Sequence, residues 1–240
     1  MSKKYDKPFV FKQFHIWQKY NPLKITTEAC VLGALVPVDI PNNHALDIGT
    51  GTGVIALMIA QKCHAQIHAV EIDTLAAAEA SKNFLNSPWN DRLHIYNIDI
   101  QHYMPDSKYL FDIIICNPPF YTGQLLPLND GKKNSKHTSL LSHTQLLYAV
   151  HRLLSPSGKF YVMLPTDMMD EFCVKAIEKG LFLTQKIKIY TKHDKILRII
   201  ACFEKSVNIL HESELHICDK DGKYSAAFIQ LMAPYYLDVK

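Results

Sequence analysis

Short apolar runs alternate with amphipathic stretches over most of the chain. Strand-like runs at 45–48, 67–71, 93–96, 111–116 and 159–164 are separated by helical patterns at 54–62, 75–85 and 144–154. The runs show little polar alternation, most plainly Ile113-Ile114-Ile115, which suits parallel strands covered by helices on both faces. Repeated β-α-β units of this kind predict an α/β fold built on a doubly wound, mostly parallel sheet, with its ligand site at the carboxyl ends of the strands. Beyond Gly158 a helix is expected at 168–178, followed by long strand-like runs at 182–190 and 196–203. The polar residues 191–195 are too few for a parallel crossover, so these last strands should form an antiparallel pair. Upstream, Thr26 and Thr27 offer N-caps for a helix that Pro37 ends. The chain reads as one domain: an N-terminal extension over 1–40, a core over 41–204 and a C-terminal extension over 205–240.

Composition adds mainly exclusions. With 240 residues, 48% hydrophobic and 20% charged, disorder, collagen-like repeats and a disulfide scaffold are set aside. The six cysteines share no spacing that would hold zinc or form a redox pair, so they read as reduced apolar residues and no metal is expected. The basic N-terminus is followed by no apolar signal region, and the longest apolar run, 54–60, is far too short to span a membrane. A cytoplasmic monomer without membrane contact is the expectation. Charge is uneven although the net value is only +3: residues 1–24 carry +5 and residues 132–198 carry +7, leaving −9 elsewhere. A polyanionic partner fits this distribution, and so do two lysine-rich solvated faces.

The strongest local signal is Leu46-Asp47-Ile48-Gly49-Thr50-Gly51-Thr52-Gly53, which follows an expected strand and opens an expected helix. Gly49, Gly51 and Gly53 let the backbone turn sharply and approach a ligand where side chains would collide. The spacing is one residue short of the dinucleotide pyrophosphate fingerprint, and Asp47 precedes the first glycine. A carboxylate there suits a cationic amino group or an ordered water shell better than a phosphate, which points to S-adenosylmethionine. Eighteen residues after Gly53, Glu71 ends the second expected strand, where its oxygens can accept from both hydroxyls of a ribose; Ile72 follows it as a further cofactor candidate. Asp99, after the third strand, is placed to accept from an adenine amino group. Any one of these acids could be a solvated loop carboxylate, but their recurrence at successive strand ends favours the cofactor.

Directly after the fourth strand comes Asn117-Pro118-Pro119-Phe120. A proline turn explains neither the carboxamide nor the aromatic beside it. Together they suit methylation of a planar amino or amide nitrogen, whose lone pair is delocalised and weakly nucleophilic. The Asn117 side-chain oxygen and the Pro118 carbonyl would accept from the NH2 group, drawing the nitrogen toward tetrahedral geometry, while Phe120 stacks on the target ring. No strong base is needed, because alignment of well-oriented partners can contribute up to about 7–11 kcal/mol. Asn117, Pro118 and Phe120 are therefore the catalytic candidates.

These motifs together resemble class I S-adenosylmethionine-dependent amino-group methyltransferases of Rossmann-like fold. Further segments, Phe9-Val10-Phe11-Lys12-Gln13-Phe14, Leu23-Lys24-Ile25-Thr26-Thr27-Glu28, Ser87-Pro88-Trp89 and Asp221-Gly222-Lys223-Tyr224-Ser225, resemble the bacterial valine tRNA (adenine-37-N6) methyltransferase family over roughly residues 9–238. The resemblance implies methylation of N6 of the adenine beside the anticodon, with tRNA as partner. An adenine in that loop is already partly unstacked, which lowers the cost of moving it into a pocket. Lys24 and Thr27 lie in the segment that would close over the methionine end of the cofactor. There the family usually has K-V-G-T-D-G, against Lys24-Ile25-Thr26-Thr27-Glu28-Ala29 here, and its usual tyrosine after the two prolines is Phe120.

The long connection 121–138 carries Lys132, Lys133, Lys136 and His137 and reads as a basic loop for the RNA backbone. Lys12, Lys188, Lys192, Lys195 and Arg198 are weaker candidates for phosphate contact, since lysine also blunts edge strands. Tyr235 and Tyr236 read as packing for the C-terminal segment. Two other readings compete with the tRNA enzyme. A protein glutamine methyltransferase would use the same Asn-Pro-Pro chemistry without need of the basic loop, and a non-catalytic RNA-binding protein would have no need of Asp47, Glu71, Asp99 and Asn117.

Overall fold

The computed structural model describes residues 7–21, 24–38, 44–105, 109–118, 141–191 and 196–239. Ten strands and six helices are found among them: β1 (Phe9–Val10), β2 (His15–Ile16), α1 (Thr27–Leu35), β3 (His44–Ile48), α2 (Val54–Lys62), β4 (Gln66–Glu71), α3 (Thr74–Leu85), β5 (Leu93–Asn97), β6 (Phe111–Cys116), α4 (His143–Leu153), β7 (Leu154–Leu164), α5 (Thr166–Glu178), β8 (Phe182–Tyr190), β9 (Ile196–Glu204), β10 (His211–His216) and α6 (Ala226–Met232). Eight strands form one sheet in the order β10-β8-β9-β7-β6-β3-β4-β5. The pairs from β7 through β5 are parallel, and β9 runs antiparallel to both β7 and β8, so the α/β fold and its antiparallel pair are as expected.

The apolar runs work as two-sided strands. Ile113 and Ile115 pack into the core shared with α1, α2, α6 and the inner face of α3, whereas Ile114 packs on the other side with α4 and α5. Ala45 and Leu46 divide between the two layers in the same way. A run without polar alternation is what two covered faces require, since successive side chains point to opposite sides.

Several elements were not anticipated. β10, His-Glu-Ser-Glu-Leu-His, pairs parallel with β8 and contributes one buried residue, Leu215. Its lack of an apolar pattern hid it from the sequence reading. With β10 in place β8 is not an edge, and Lys188 faces Glu212 and Glu214 across the pair, 3.9 Å from each. At the other end of the chain β1 and β2 form a small hairpin, with Phe11 and Phe14 stacked at 4.4 Å. Phe11 bridges to Tyr236, and the Lys12 amide donates to the Tyr235 carbonyl. The two chain ends are thus laid together, and the buried Tyr235 packs as expected.

At the amino-terminal edge of the sheet His68 is buried between two tyrosines, its Nδ1 2.5 Å from the Tyr103 hydroxyl and its Nε2 2.9 Å from that of Tyr109. A neutral imidazole offers one donor and one acceptor, so one hydroxyl accepts and the other donates. Burial, with His94 and His44 nearby, lowers the His68 pKa to about 4. The unfolded chain therefore binds the extra proton first, and this group's stabilisation is full above about pH 6.5 and lost as pH falls toward 4. Between those limits one proton is worth about 1.4 kcal/mol per pH unit. Denaturant unfolding from pH 6.5 to 5 should show a slope shallower by about that amount in His68→Phe than in the parent. Equal slopes would mean that His68 titrates alike in both states.

Candidate active site

β3 sits where the strand order reverses, with β4 on one side and β6 on the other. The carboxyl ends of β3, β4, β5 and β6 lie side by side there, and each carries one of the candidate segments. After β3 the chain turns through Gly49 at φ +69°, Gly51 at +56° and Gly53 at +83°. A Cβ on Gly53 would stand 2.5 Å from the Phe84 ring, whereas one on Gly49 would meet nothing within 4 Å among the described residues. Gly53 is therefore needed for packing against α3, and Gly49 for its backbone conformation beside open space.

Asp47 lies beneath this loop, 1% exposed, with one oxygen accepting from the Thr50 hydroxyl at 2.6 Å. Burial, opposed by the Thr50 and Ala56 hydrogen bonds and reinforced by the nearby Glu71 charge, pushes its pKa up to about 7. Glu71, at the end of β4, accepts from the Gly51 amide at 2.9 Å through Oε2 and from the Asp73 amide at 2.9 Å through Oε1. One carboxylate thus joins the glycine turn to the start of α3, and each oxygen retains a further lone pair. Ile72, beside it, is 48% exposed. Asn97 braces this corner by donating to the Glu71 and Ile72 carbonyls. Asp99 is half-buried after β5, with its oxygens accepting from the Gln101 amide at 2.9 Å and side chain at 3.0 Å. Asn117 and Pro118 follow β6 immediately, and the Asn117 Oδ1 is buried without a hydrogen-bond partner among the described residues.

The sequence reading missed the support of this corner. α3 turns Glu79 and Asn83 inward, and both are buried. Asn83 accepts from the Trp17 amide and donates to the carbonyls of Trp17 and of Thr52 in the glycine turn, each at 2.9 Å. Glu79 accepts from the Tyr20 and Asn21 amides at 3.1 and 2.9 Å. These two side chains fasten the strap 17–21 to the cofactor side of the sheet. The i, i+4 spacing of two polar residues on an otherwise alanine-rich inner face was the available signal.

Three of the other cationic candidates are engaged by backbone carbonyls. The Lys24 ammonium donates to the carbonyls of Gln18, Lys19 and Asn21 at 2.5–3.3 Å, closing the strap on itself. Thr26, rather than Thr27, caps α1; Thr27 is its first helical residue. Lys12 donates to the Ala233 carbonyl at 2.6 Å, and Arg198 to the Leu197 carbonyl at 2.7 Å. Phe120, Lys132, Lys133, Lys136 and His137, with Lys192 and Lys195, lie outside the described residues. Among the described residues no cluster of three His, Cys, Asp or Glu could hold a metal, and no helix is long and apolar enough to cross a membrane.

The family model of the methyltransferase small domain matches residues 29–168. The tRNA1(Val) (adenine(37)-N6)-methyltransferase of Cytophaga hutchinsonii is 36% identical over 96% of this chain and 98% of its own length. That of Dyadobacter fermentans is 38% identical over 95% and 97%. The chain belongs to this family. As a class I methyltransferase it is an enzyme with S-adenosylmethionine as methyl donor, and solved structures agree in fold. The crystal structure of a predicted O-methyltransferase from Agrobacterium tumefaciens matches 88% of this chain and 98% of that one with a TM-score of 0.64 at 14% identity. A methyltransferase from Pyrococcus furiosus matches 80% and 90% with 0.57 at 22%. The open space at Gly49 and the buried carboxylate of Asp47 at the switch point fit a methyl donor of this kind in this member of the family.

Proposed function

We propose that this chain methylates N6 of adenine 37 in a valine tRNA, the reaction that its relatives' names describe. The observation that carries the reading is the buried Asn117 oxygen, unpartnered among the described residues, beside Pro118 at the strand end adjoining the glycine turn. A buried acceptor without a donor is costly in a resting protein, and an incoming NH2 group would supply that donor. S-adenosylmethionine, when bound, supplies an electrophilic methyl group on its sulfonium.

The residues of the chain then divide the work. Asn117 Oδ1 and the Pro118 carbonyl accept from the target amino group and aim its lone pair, and Phe120 offers a face for the adenine. Glu71 takes the ribose hydroxyls on its remaining lone pairs, Asp99 takes the cofactor's adenine amino group, and Ile72 packs against that ring. Gly49, Gly51 and Gly53 let the backbone approach. Asp47 faces the cationic methionine end directly or through water, Thr27 at the start of α1 belongs to the segment assigned to close over that end, and Lys24 acts by holding the strap in shape. Lys132, Lys133, Lys136, His137, Lys192, Lys195, Lys12 and Arg198 are assigned to the RNA backbone. The chain works as one catalytic unit over 1–240, a monomer in the cytoplasm, with neither a metal nor a membrane as partner.

Labelled methyl transfer to bacterial tRNA lacking its own position-37 methylation, followed by nucleoside analysis, tests the reading. N6-methyladenosine in the valine species is the expected product. Unlabelled RNA, with cofactor binding intact, would overturn it in favour of a protein amide substrate.

The elevated Asp47 pKa gives a second measurable consequence. A cationic ligand group binds the ionised carboxylate better, so affinity should weaken as pH falls below the free-site value of about 7. By calorimetry the cofactor should bind about tenfold more weakly at pH 6 than at pH 8, apart from its own titration. Asp47→Asn should remove that difference; if it persists in the variant, another group is responsible.

A further inference from the structure

The strap leaves a groove of about 390 Å³ against the outer side of α3. Trp17 and Tyr20 line one wall, 42% and 56% exposed, and Leu75 lies opposite at the start of the helix. The backbone, and not these rings, makes the bonds that hold the strap: the amides of Trp17 and Tyr20 donate to Asn83 and Glu79. Two large aromatic side chains are thus presented to solvent from a segment pinned at Trp17, Tyr20 and Asn21. Such presentation costs apolar exposure and calls for a partner.

The charge around the groove selects the partner. Lys19 and Lys82 line it, with the Lys19 ammonium 5.9 Å from the Tyr20 ring centre. Glu79 is the one acid of α3, and its carboxylate is already engaged by two backbone amides. Residues 16–25 contain no acid. Aromatic faces set among lysines, with the single lining carboxylate turned to the backbone, match an unpaired nucleic-acid strand, whose bases stack and whose phosphates need cations. The place matches as well, since α3 starts three residues after Glu71 and Asn83 ties the strap to the glycine turn.

We propose that the groove between the strap and α3 is a docking site for unpaired nucleotides of the tRNA substrate near the target adenine, with Trp17 and Tyr20 stacking on bases and Lys19 and Lys82 taking phosphates. The proposal rests on the reading of the chain as a tRNA methyltransferase. It adds a recognition surface on the β4 side of the site.

The chain has two tryptophans, so Trp89→Phe leaves Trp17 as the sole indole reporter. Titration of that full-length protein with an unmethylated valine tRNA transcript should quench its emission. Trp17→Ala and Tyr20→Ala should each weaken the transcript's Kd by anisotropy roughly tenfold, at unchanged Tm and cofactor affinity, because the anchoring backbone bonds remain. Lys19→Ala with Lys82→Ala should lower the salt slope of log K by about 1.4. Unquenched Trp17 at saturating RNA, or unaltered Kd in both aromatic variants, would overturn the proposal, and this is also the result expected if the groove holds a protein. Methyl transfer by the parent enzyme is read separately. Its failure would strike the assigned reaction, whereas quenching and Kd report on the groove.

Discussion

Asn117→Ala is expected to lower the single-turnover rate of methyl transfer by about 10²- to 10³-fold, the usual cost of removing one oriented hydrogen-bonding group from a transition state. The Kd for S-adenosylmethionine should change by less than about twofold, and Tm should not fall. The last expectation separates catalysis from folding. In the resting protein the Asn117 Oδ1 is buried and accepts no hydrogen bond among the described residues, so truncation removes an unsatisfied group instead of breaking a bond. The neighbouring strand is held by Cys116 and the Ile113–Ile115 run, which pair with β3 and β7 independently of the Asn117 side chain. Rapid-quench measurement with saturating cofactor and RNA checks the rate, and calorimetry checks the affinity. A variant of near-normal rate would mean that the target nitrogen is aligned by other groups, and the Asn-Pro pair would then be only a turn.

The parts of this protein that were legible in its sequence are those with a short-range physical signature. Ile113-Ile114-Ile115 announces a strand covered on both faces because the run is short, β-branched and without polar alternation. The glycine turn and the acid at the end of the next strand are likewise local, and the structure sets Glu71 against Gly51. What stayed hidden depends on contacts between distant residues. β10 is a polar strand that exists because β8 offers it a hydrogen-bonding edge and because Lys188 faces two glutamates there. The strap owes its course to Glu79 and Asn83, 59 and 66 residues away from the amides they accept. Lys24 has the charge of a ligand contact, yet three strap carbonyls hold it. Formal charge identifies which groups need partners, and only the fold decides which partners they get.

Glu71→Ala is expected to weaken S-adenosylmethionine binding by about 10²-fold. Two hydrogen bonds to a charged acceptor contribute about 1.5–3 kcal/mol each, and part of that is recovered by water. Loss of affinity alone would not show that Glu71 meets the ribose, because the same carboxylate holds the amides of Gly51 and Asp73. Truncation therefore also loosens the glycine turn and the start of α3, at a stability cost of about 1–3 kcal/mol from two orphaned donors. The two effects separate when the cofactor is varied along with the protein. A donor lacking one ribose hydroxyl should bind the parent enzyme about tenfold more weakly than S-adenosylmethionine, and the Glu71→Ala variant with nearly the same affinity as the natural cofactor. Such coupling requires contact between the carboxylate and the missing hydroxyl. If both proteins lose the same factor on removal of the hydroxyl, Glu71 acts only by shaping the turn, and the ribose must be held elsewhere.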